Sequence, residues 1–148
     1  MGSVAKLFDG AVSVDAPFNF EREFQLRSAG RYCLYLTFDR RDAPVERLRQ
    51  LVGGAYGQTI EIDGKHVDIG EPPGVPVPLD WELRGRNTVI LRSQAVALGA
   101  QLWSEAEVRR LLFCSDLTAG DYKLEVELSE GVPEFRGIRT RLRMEELK

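Results

Sequence analysis

Leu26-Arg27-Ser28-Ala29-Gly30-Arg31-Tyr32-Cys33-Leu34-Tyr35-Leu36-Thr37-Phe38 is the stretch that decides the fold class. After the Gly30 turn, Tyr32, Leu34, Leu36 and Phe38 fall on one face and Cys33, Tyr35 and Thr37 on the other. That period of two marks a strand with one side buried. The stretch has an echo in Leu117-Thr118-Ala119-Gly120-Asp121-Tyr122-Lys123-Leu124-Glu125-Val126. In both, a leucine precedes a tight glycine turn, a tyrosine and an alternating strand. Such a tyrosine suits the corner of a β-sandwich, packing inward while its hydroxyl bonds nearby backbone. The echo is too short to be a duplicated domain.

Upstream, Phe18, Phe20, Phe24 and Leu26 alternate with polar residues. This run and the Tyr32 strand, joined by a short glycine-containing turn, predict a β-hairpin. Arg22 interrupts the apolar face, as at a strand end or bulge. Downstream, Asp42-Ala43-Pro44-Val45 opens a short helix, with Asp42 or a neighbour as cap. Val45, Leu48, Leu51 and Val52 form its apolar stripe, and Gly53-Gly54 end it. Asp63-Gly64, between Thr59 to Ile62 and Lys65 to Ile69, predicts a two-residue hairpin turn.

Val75, Val77, Leu79, Trp81 and Leu83 alternate again, but Pro76 and Pro78 cannot donate to a ladder. The segment is therefore expected as an edge strand or a partly extended segment, with Thr88 to Arg92 as its hairpin partner. Ser104-Glu105-Ala106-Glu107 has capping-box spacing, with Trp103 and Val108 placed as a staple. It predicts a helix through about Phe113 that buries Val108, Leu111 and Leu112. The last two strands place Tyr122, Leu124, Val126 and Leu128 inside, then Ile138, Thr140, Leu142 and Met144 opposite Arg139, Arg141 and Arg143. Many short strands with regular turns, and no βαβ rhythm, predict a mainly β protein. The expected architecture is an antiparallel β-sandwich with one or two short helices, one domain over residues 4–148.

With 148 residues the chain has the size of one domain with a proper core. Its 43% hydrophobic and 29% charged residues set it apart from disordered sequences. A net charge of −3 lacks the basic footprint that a nucleic-acid partner requires. No apolar run approaches the roughly 18 residues of a transmembrane segment. The N-terminus has neither the basic start nor the apolar core of a signal peptide. Lys6 occupies the position where myristoylation needs Ser or Thr. Met1-Gly2-Ser3 reads as an expression remnant, compatible with removal of a native leader that carried a lipid anchor.

His66, the lone histidine, follows a hairpin turn and reads as a surface residue, so no catalytic residue is assigned. Glu61, Asp63 and Asp68 lack calcium-loop spacing, and neither cysteine has a ligand-spaced neighbour, so no metal is expected. Gly53-Gly54-Ala55-Tyr56-Gly57 follows a helix instead of opening one, the wrong order for a phosphate cradle, and no cofactor is expected. Cys33 and Cys114 leave two readings open. They are buried free thiols, or one disulfide worth about 4 kcal/mol that implies an oxidising compartment. The Arg139, Arg141 and Arg143 row either meets an acidic partner or is a solvated, edge-protecting face. Tyr56, Tyr35 and the loop from Pro72 to Pro78 are further binding candidates.

The Leu26…Gly30-x-Tyr32-x-Leu34-x-Leu36 corner, Val77-Pro78-Leu79, and the Leu117…Gly120-x-Tyr122-x-Leu124-x-Val126 corner recur in that order. Over about residues 6 to 147 the chain resembles a family of small exported β-sandwich proteins of Gram-negative bacteria, classed as a domain of unknown function. Members are often lipoproteins or periplasmic, and some are similar to immunity proteins encoded beside type VI secretion effectors. The resemblance implies a non-enzymatic, protein-binding immunity protein, periplasmic or anchored at the outer membrane, whose partner is a secreted effector toxin. It brings no catalytic residues. The alternative is a sandwich binding an envelope carbohydrate or other ligand through aromatics such as Tyr35 and Tyr56. A small hydrolase using scattered carboxylates is a third reading, by analogy of fold alone.

Overall fold

The computed structural model describes residues 5–53, 59–62, 64–68, 74–86, 89–97, 102–104 and 106–147. The strands are β1 (Ala5–Val12), β2 (Phe18–Leu26), β3 (Gly30–Asp39), β4 (Thr59–Ile62), β5 (Lys65–Asp68) and β6 (Val77–Arg84). They continue with β7 (Val89–Ala97), β8 (Leu102–Trp103), β9 (Glu107–Leu117), β10 (Gly120–Leu128) and β11 (Thr140–Leu147). A single α-helix, α1 (Val45–Val52), and two 3-10 turns complete the described elements. A five-stranded sheet in the order β1-β11-β3-β9-β8 faces a four-stranded sheet in the order β2-β10-β6-β7, and β4-β5 stands as a separate hairpin. Every pairing is antiparallel. Leu34, Leu36, Phe38, Leu142 and Met144 from one sheet meet Leu79, Leu83, Leu124, Val126 and Leu128 from the other in one buried core. The antiparallel β-sandwich with a short helix is thus the observed fold.

The two glycine corners do what the tyrosines predict, but they do not make hairpins. β2 pairs with β10 and β3 with β9, so the chain passes from one sheet to the other at each corner. The corners lie side by side: Leu26 is the partner of Gly120, and Leu117 the partner of Gly30. Tyr32 donates its hydroxyl to the Ser28 carbonyl at 2.9 Å, and Tyr122 to the Thr118 carbonyl at 2.7 Å. Each bond spans four residues and closes the corner. The expected β2–β3 hairpin is therefore corrected. Both runs carry a buried face, and facing sheets satisfy two such faces where one flat hairpin cannot. Arg22 sits mid-strand opposite Leu124 with no break in register. Its guanidinium lies 5.4 Å from the ring centres of both Phe8 and Phe20, so it stacks over aromatics instead of marking a bulge.

β6 is interior, between β10 and β7, not an edge. The prolines are tolerated because β10 pairs only with Asp80 to Arg84, while Pro78 faces β7 alone. Pro78 thus occupies the overhang of an inner strand. α1 forms where the apolar stripe predicts, burying Leu48, Leu51 and Val52. Pro44 is its N-cap, with no side-chain cap, and Asp42 instead accepts from the Arg139 backbone N–H at 2.7 Å.

The predicted second helix is a strand. Ser104 Oγ does accept from the Glu107 N–H at 3.2 Å, as a capping box requires. The Ser104 N–H also donates to the Glu107 carbonyl at 2.9 Å, which closes the turn from β8 into β9. Two features disguise the period of two in β9. Arg110 occupies a core-facing position, and the register against β3 slips between Leu34 and Tyr35, leaving Leu112 as an extra residue. Val108, Leu111 and Leu112 consequently imitate helical spacing, although Leu111 is exposed.

Arg110 is completely buried. Its Nε donates to the Val52 carbonyl, and its Nη2 to the carbonyls of Leu51, Val52 and Val75 at 2.8–2.9 Å. These include carbonyls that a helix C-terminus leaves without partners, and the helix dipole favours a cation there. The guanidinium also lies 5.5 and 5.7 Å from the ring centres of Phe38 and Phe135. Burial pushes its pKa down to about 10, so it remains charged at neutral pH. Beside it, Val75 donates its N–H to the Leu51 carbonyl at 2.7 Å. Gly74, at φ 89°, passes so close that a Cβ there would meet Val52 and Gly53 backbone at 2.6 Å.

Cys33 and Cys114 face each other across β3 and β9 with Cα atoms 4.1 Å apart, and form a disulfide. The sequence had left that pairing open. Because 81 positions separate them, reducing the bond is expected to lower unfolding stability by about 4 kcal/mol in the chain-entropy model. Urea unfolding with and without dithiothreitol, beside Cys33→Ala/Cys114→Ala, measures this. Arg110→Met is expected to cost about 3 kcal/mol or more, because the Val52 and Val75 carbonyls lose the guanidinium donor at roughly 1–3 kcal/mol each, while the Leu51 carbonyl keeps only the Val75 N–H. Arg110→Lys recovers only part of this, since one ammonium cannot bridge both segments.

Candidate functional site

β11 runs between β1 and β3, so alternate residues along it project from the outer face of the five-stranded sheet. Ile138, Thr140, Leu142 and Met144 are buried beneath, and Arg139, Arg141 and Arg143 point outward, as their spacing predicts. The strands on either side supply what the sequence pattern did not reveal. Asp9 of β1 lies opposite Arg143 in the register, and bonds Arg141 at 3.2 Å and Arg143 at 3.3 Å. Arg143 also meets Glu107 of β9 at 2.6 Å. Glu107 in turn holds Arg109 at 2.9 Å, and Arg109 reaches back to the buried Glu145 of β11 at 2.6 Å. Carboxylates and guanidiniums from β1, β11 and β9 alternate across the face.

Tyr35 lies within this lattice, with the Arg109 guanidinium 5.2 Å from its ring centre. The disulfide is part of the same face, since Glu145 is the register partner of Cys33. Of the binding residues read from sequence, Arg139, Arg141, Arg143 and Tyr35 are therefore brought together. Tyr56 lies outside the described residues, as do Pro72 and Pro73. The described part of that loop, Gly74 to Pro76, packs at the end of α1. Asp9, Asp39, Arg41, Asp42, Glu107 and Arg109 were missed. The signal for Glu107 and Arg109 was their alternation with Val108, hidden by the helical reading of that segment. Asp9 carried no local signal.

At one end of the face the lattice opens into a groove of about 570 Å³. Arg41, Arg139, Arg141 and Arg143 line it together with Asp39 and Glu107, and Ala11, Ala106 and Gly137 keep it open. Two carboxylates anchor its rim. Asp39 binds Arg41 through both carboxyl oxygens and lies 3.2 Å from Arg139. Asp42 grips Nε and Nη2 of Arg139 at 2.8–3.1 Å. The Arg41 guanidinium and its backbone N–H, with Arg139 alongside, hold the Asp39 carboxyl down to about 2. Arg139, through side-chain and backbone bonds, holds Asp42 below its ordinary value as well. Such an array presents oriented charge and hydrogen-bond donors, which is the chemistry of recognition.

A model of a domain of unknown function, DUF5625, matches residues 17–146, which takes in β2 to β10 and all but the last residue of β11. The chain belongs to the DUF5625 family. No curated protein matches its sequence. Among solved structures, this DUF5625 chain is similar to a protein from Sulfurospirillum deleyianum known from a crystal structure, with a TM-score of 0.69 at 18% identity. The match covers 95% of this chain and 96% of the other. At that identity the likeness is one of fold.

Because Asp39 and Asp42 titrate lower in the folded than in the unfolded chain, their contribution is present above the ordinary value of 3.8 and fades as pH falls below it, for Asp39 through about 2. Asp39→Asn/Asp42→Asn is expected to melt lower than the parent at pH 7. It should also lose less stability than the parent between about pH 4 and 2, as thermal melts across that range will measure.

Proposed function

We propose that this DUF5625 protein is a non-enzymatic protein-binding module, and specifically an immunity protein that neutralises a cognate secreted toxin by direct contact. The observation carrying this reading is the outer face of the five-stranded sheet, where arginines are held by acids from neighbouring strands and a turn. Individually, exposed ion pairs of this kind contribute little stability, a median of about 0–1 kcal/mol. Their joint effect is to remove side-chain freedom that docking would otherwise have to remove, at about 0.5–1.5 kcal/mol per side chain. Arginine is among the residues enriched at interface hot spots. The disulfide across β3 and β9 supports residence in an oxidising compartment, the periplasm in a Gram-negative cell.

Periplasmic expression of the captured partner should arrest growth of a host, and co-expression of this protein should restore it. Arg141→Glu, which faces solvent and should leave the fold intact, is expected to weaken the complex at least about tenfold, or ~1.4 kcal/mol. Capture from lysate of the native species, growth assays and calorimetry measure these outcomes. A captured partner that is harmless, or no partner at all, would sink the immunity reading.

A further inference from the structure

The groove at the end of the charged face is formally mixed in sign, yet its charges do not lie at one depth. The side chains of Arg41, Arg139 and Arg141 are 74, 65 and 51% exposed, whereas those of Asp39, Asp42 and Asp9 are 17, 14 and 13% exposed. The acids are recessed and the guanidiniums form the rim. An approaching molecule therefore meets cations first, while each cation keeps its orientation from the acid behind it. Among the described residues, Arg141 bonds Asp9 through Nη1, and Arg139 uses Nε and Nη2 on its acids. A guanidinium carries five N–H donors, so both retain donors for a second acceptor.

We infer that this groove receives an acidic peptide segment of the protein partner, with Arg41, Arg139 and Arg141 reading its carboxylates. The inference rests on the binding-module reading and names the chemistry of its partner. Three observations favour a peptide over a nucleic-acid backbone. The chain carries a net charge of −3, an overall sign that disfavours a polyanionic backbone. Asp39 and Glu107 within the groove repel a polyanion that penetrates deeply. Ala11, Ala106 and Gly137 leave space along the walls for a main chain, while carboxylates on short side chains reach the rim. Bidentate guanidinium–carboxylate pairing supplies the recognition. Arg143 and Arg109, half-buried within the lattice, are positioning residues that hold Glu107 and Glu145.

The test is a 1H–15N NMR titration of the oxidised full chain with hexaglutamate, with hexalysine and a thymidylate oligomer as comparison probes, at about 0.15 M salt. Hexaglutamate should shift the amides of Thr37, Ala106, Gly137, Arg139 and Arg141 saturably, and hexalysine should shift none of them. Arg41→Gln/Arg141→Gln should weaken hexaglutamate binding at least about tenfold, with unshifted amides across the four-stranded sheet as the control for an intact fold. Silent groove amides, or equal binding by the double variant, would overturn the inference. Tighter binding of the thymidylate oligomer at the same amides would overturn it in favour of a nucleic acid. Failure here is distinct from failure of the immunity reading. A toxin captured and neutralised equally well by the double variant leaves the function standing and moves the interface elsewhere.

Discussion

A guanidinium sealed inside a β-sandwich needs acceptors in every direction it points, and Arg110 finds them at the end of α1. Its position in β9 forces the helix to terminate against the core, because the Leu51 and Val52 carbonyls are the acceptors it takes. The Val75 carbonyl brings the following segment to the same point, and Gly74 is required for the close approach. The faces of Phe38 and Phe135 enclose the cation from the apolar side. Charge-assisted hydrogen bonds of this kind contribute about 1.5–3 kcal/mol each, against a desolvation cost of several kcal/mol for the ion. One side chain of β9 thereby ties together the end of a helix and the following segment, under the ring of Phe38 in β3.

The second constraint lies at the sheet crossings. Two corners, each closed by a tyrosine hydroxyl on a carbonyl four residues back, run side by side and carry β2 into β3 and β9 into β10. This reciprocity sets β3 beside β9 and so brings Cys33 opposite Cys114. With β11 on the other side of β3, the same placement assembles the outer charged face. The lattice from Asp9 through Arg143, Glu107 and Arg109 to Glu145 depends on three strands distant in sequence being locked into one register. The disulfide holds the β3–β9 part of it covalently. A rigid charged face on a disulfide-linked sheet and a recessed acidic floor under an arginine rim are properties of one construction.

Local pattern carried much of this architecture. Alternation in Tyr32 to Phe38, Tyr122 to Leu128 and Ile138 to Met144 marked strands and their buried faces, because a pleated strand turns every second side chain the same way. The helix at Val45 to Val52 and the pairing of β4 with β5 were likewise readable from spacing and turn chemistry. The tyrosine corners were recognised, and with them the sandwich class. The Arg139, Arg141 and Arg143 face was legible for the same reason of period two. Misreadings arose where a residue served a distant partner. Ser104 and Glu107 make the bonds of a helix cap within a hairpin turn, and the burial of Arg110 broke the alternation that would have marked β9.

By itself, the sequence determined which segments are extended, which face of each is apolar, and that two such layers must cover one another. Those properties follow from side chains within a few residues of each other. The tertiary structure decided that the glycine turns cross between sheets, that β6 is interior with Pro78 in the overhang that β7 alone pairs, and that the two cysteines meet. It also decided that each outward arginine has an acid behind it, because Asp9, Asp39, Asp42 and Glu107 come from other strands and turns. Pairing across a sheet is fixed by which strands become neighbours, and no periodicity within one strand encodes its neighbour.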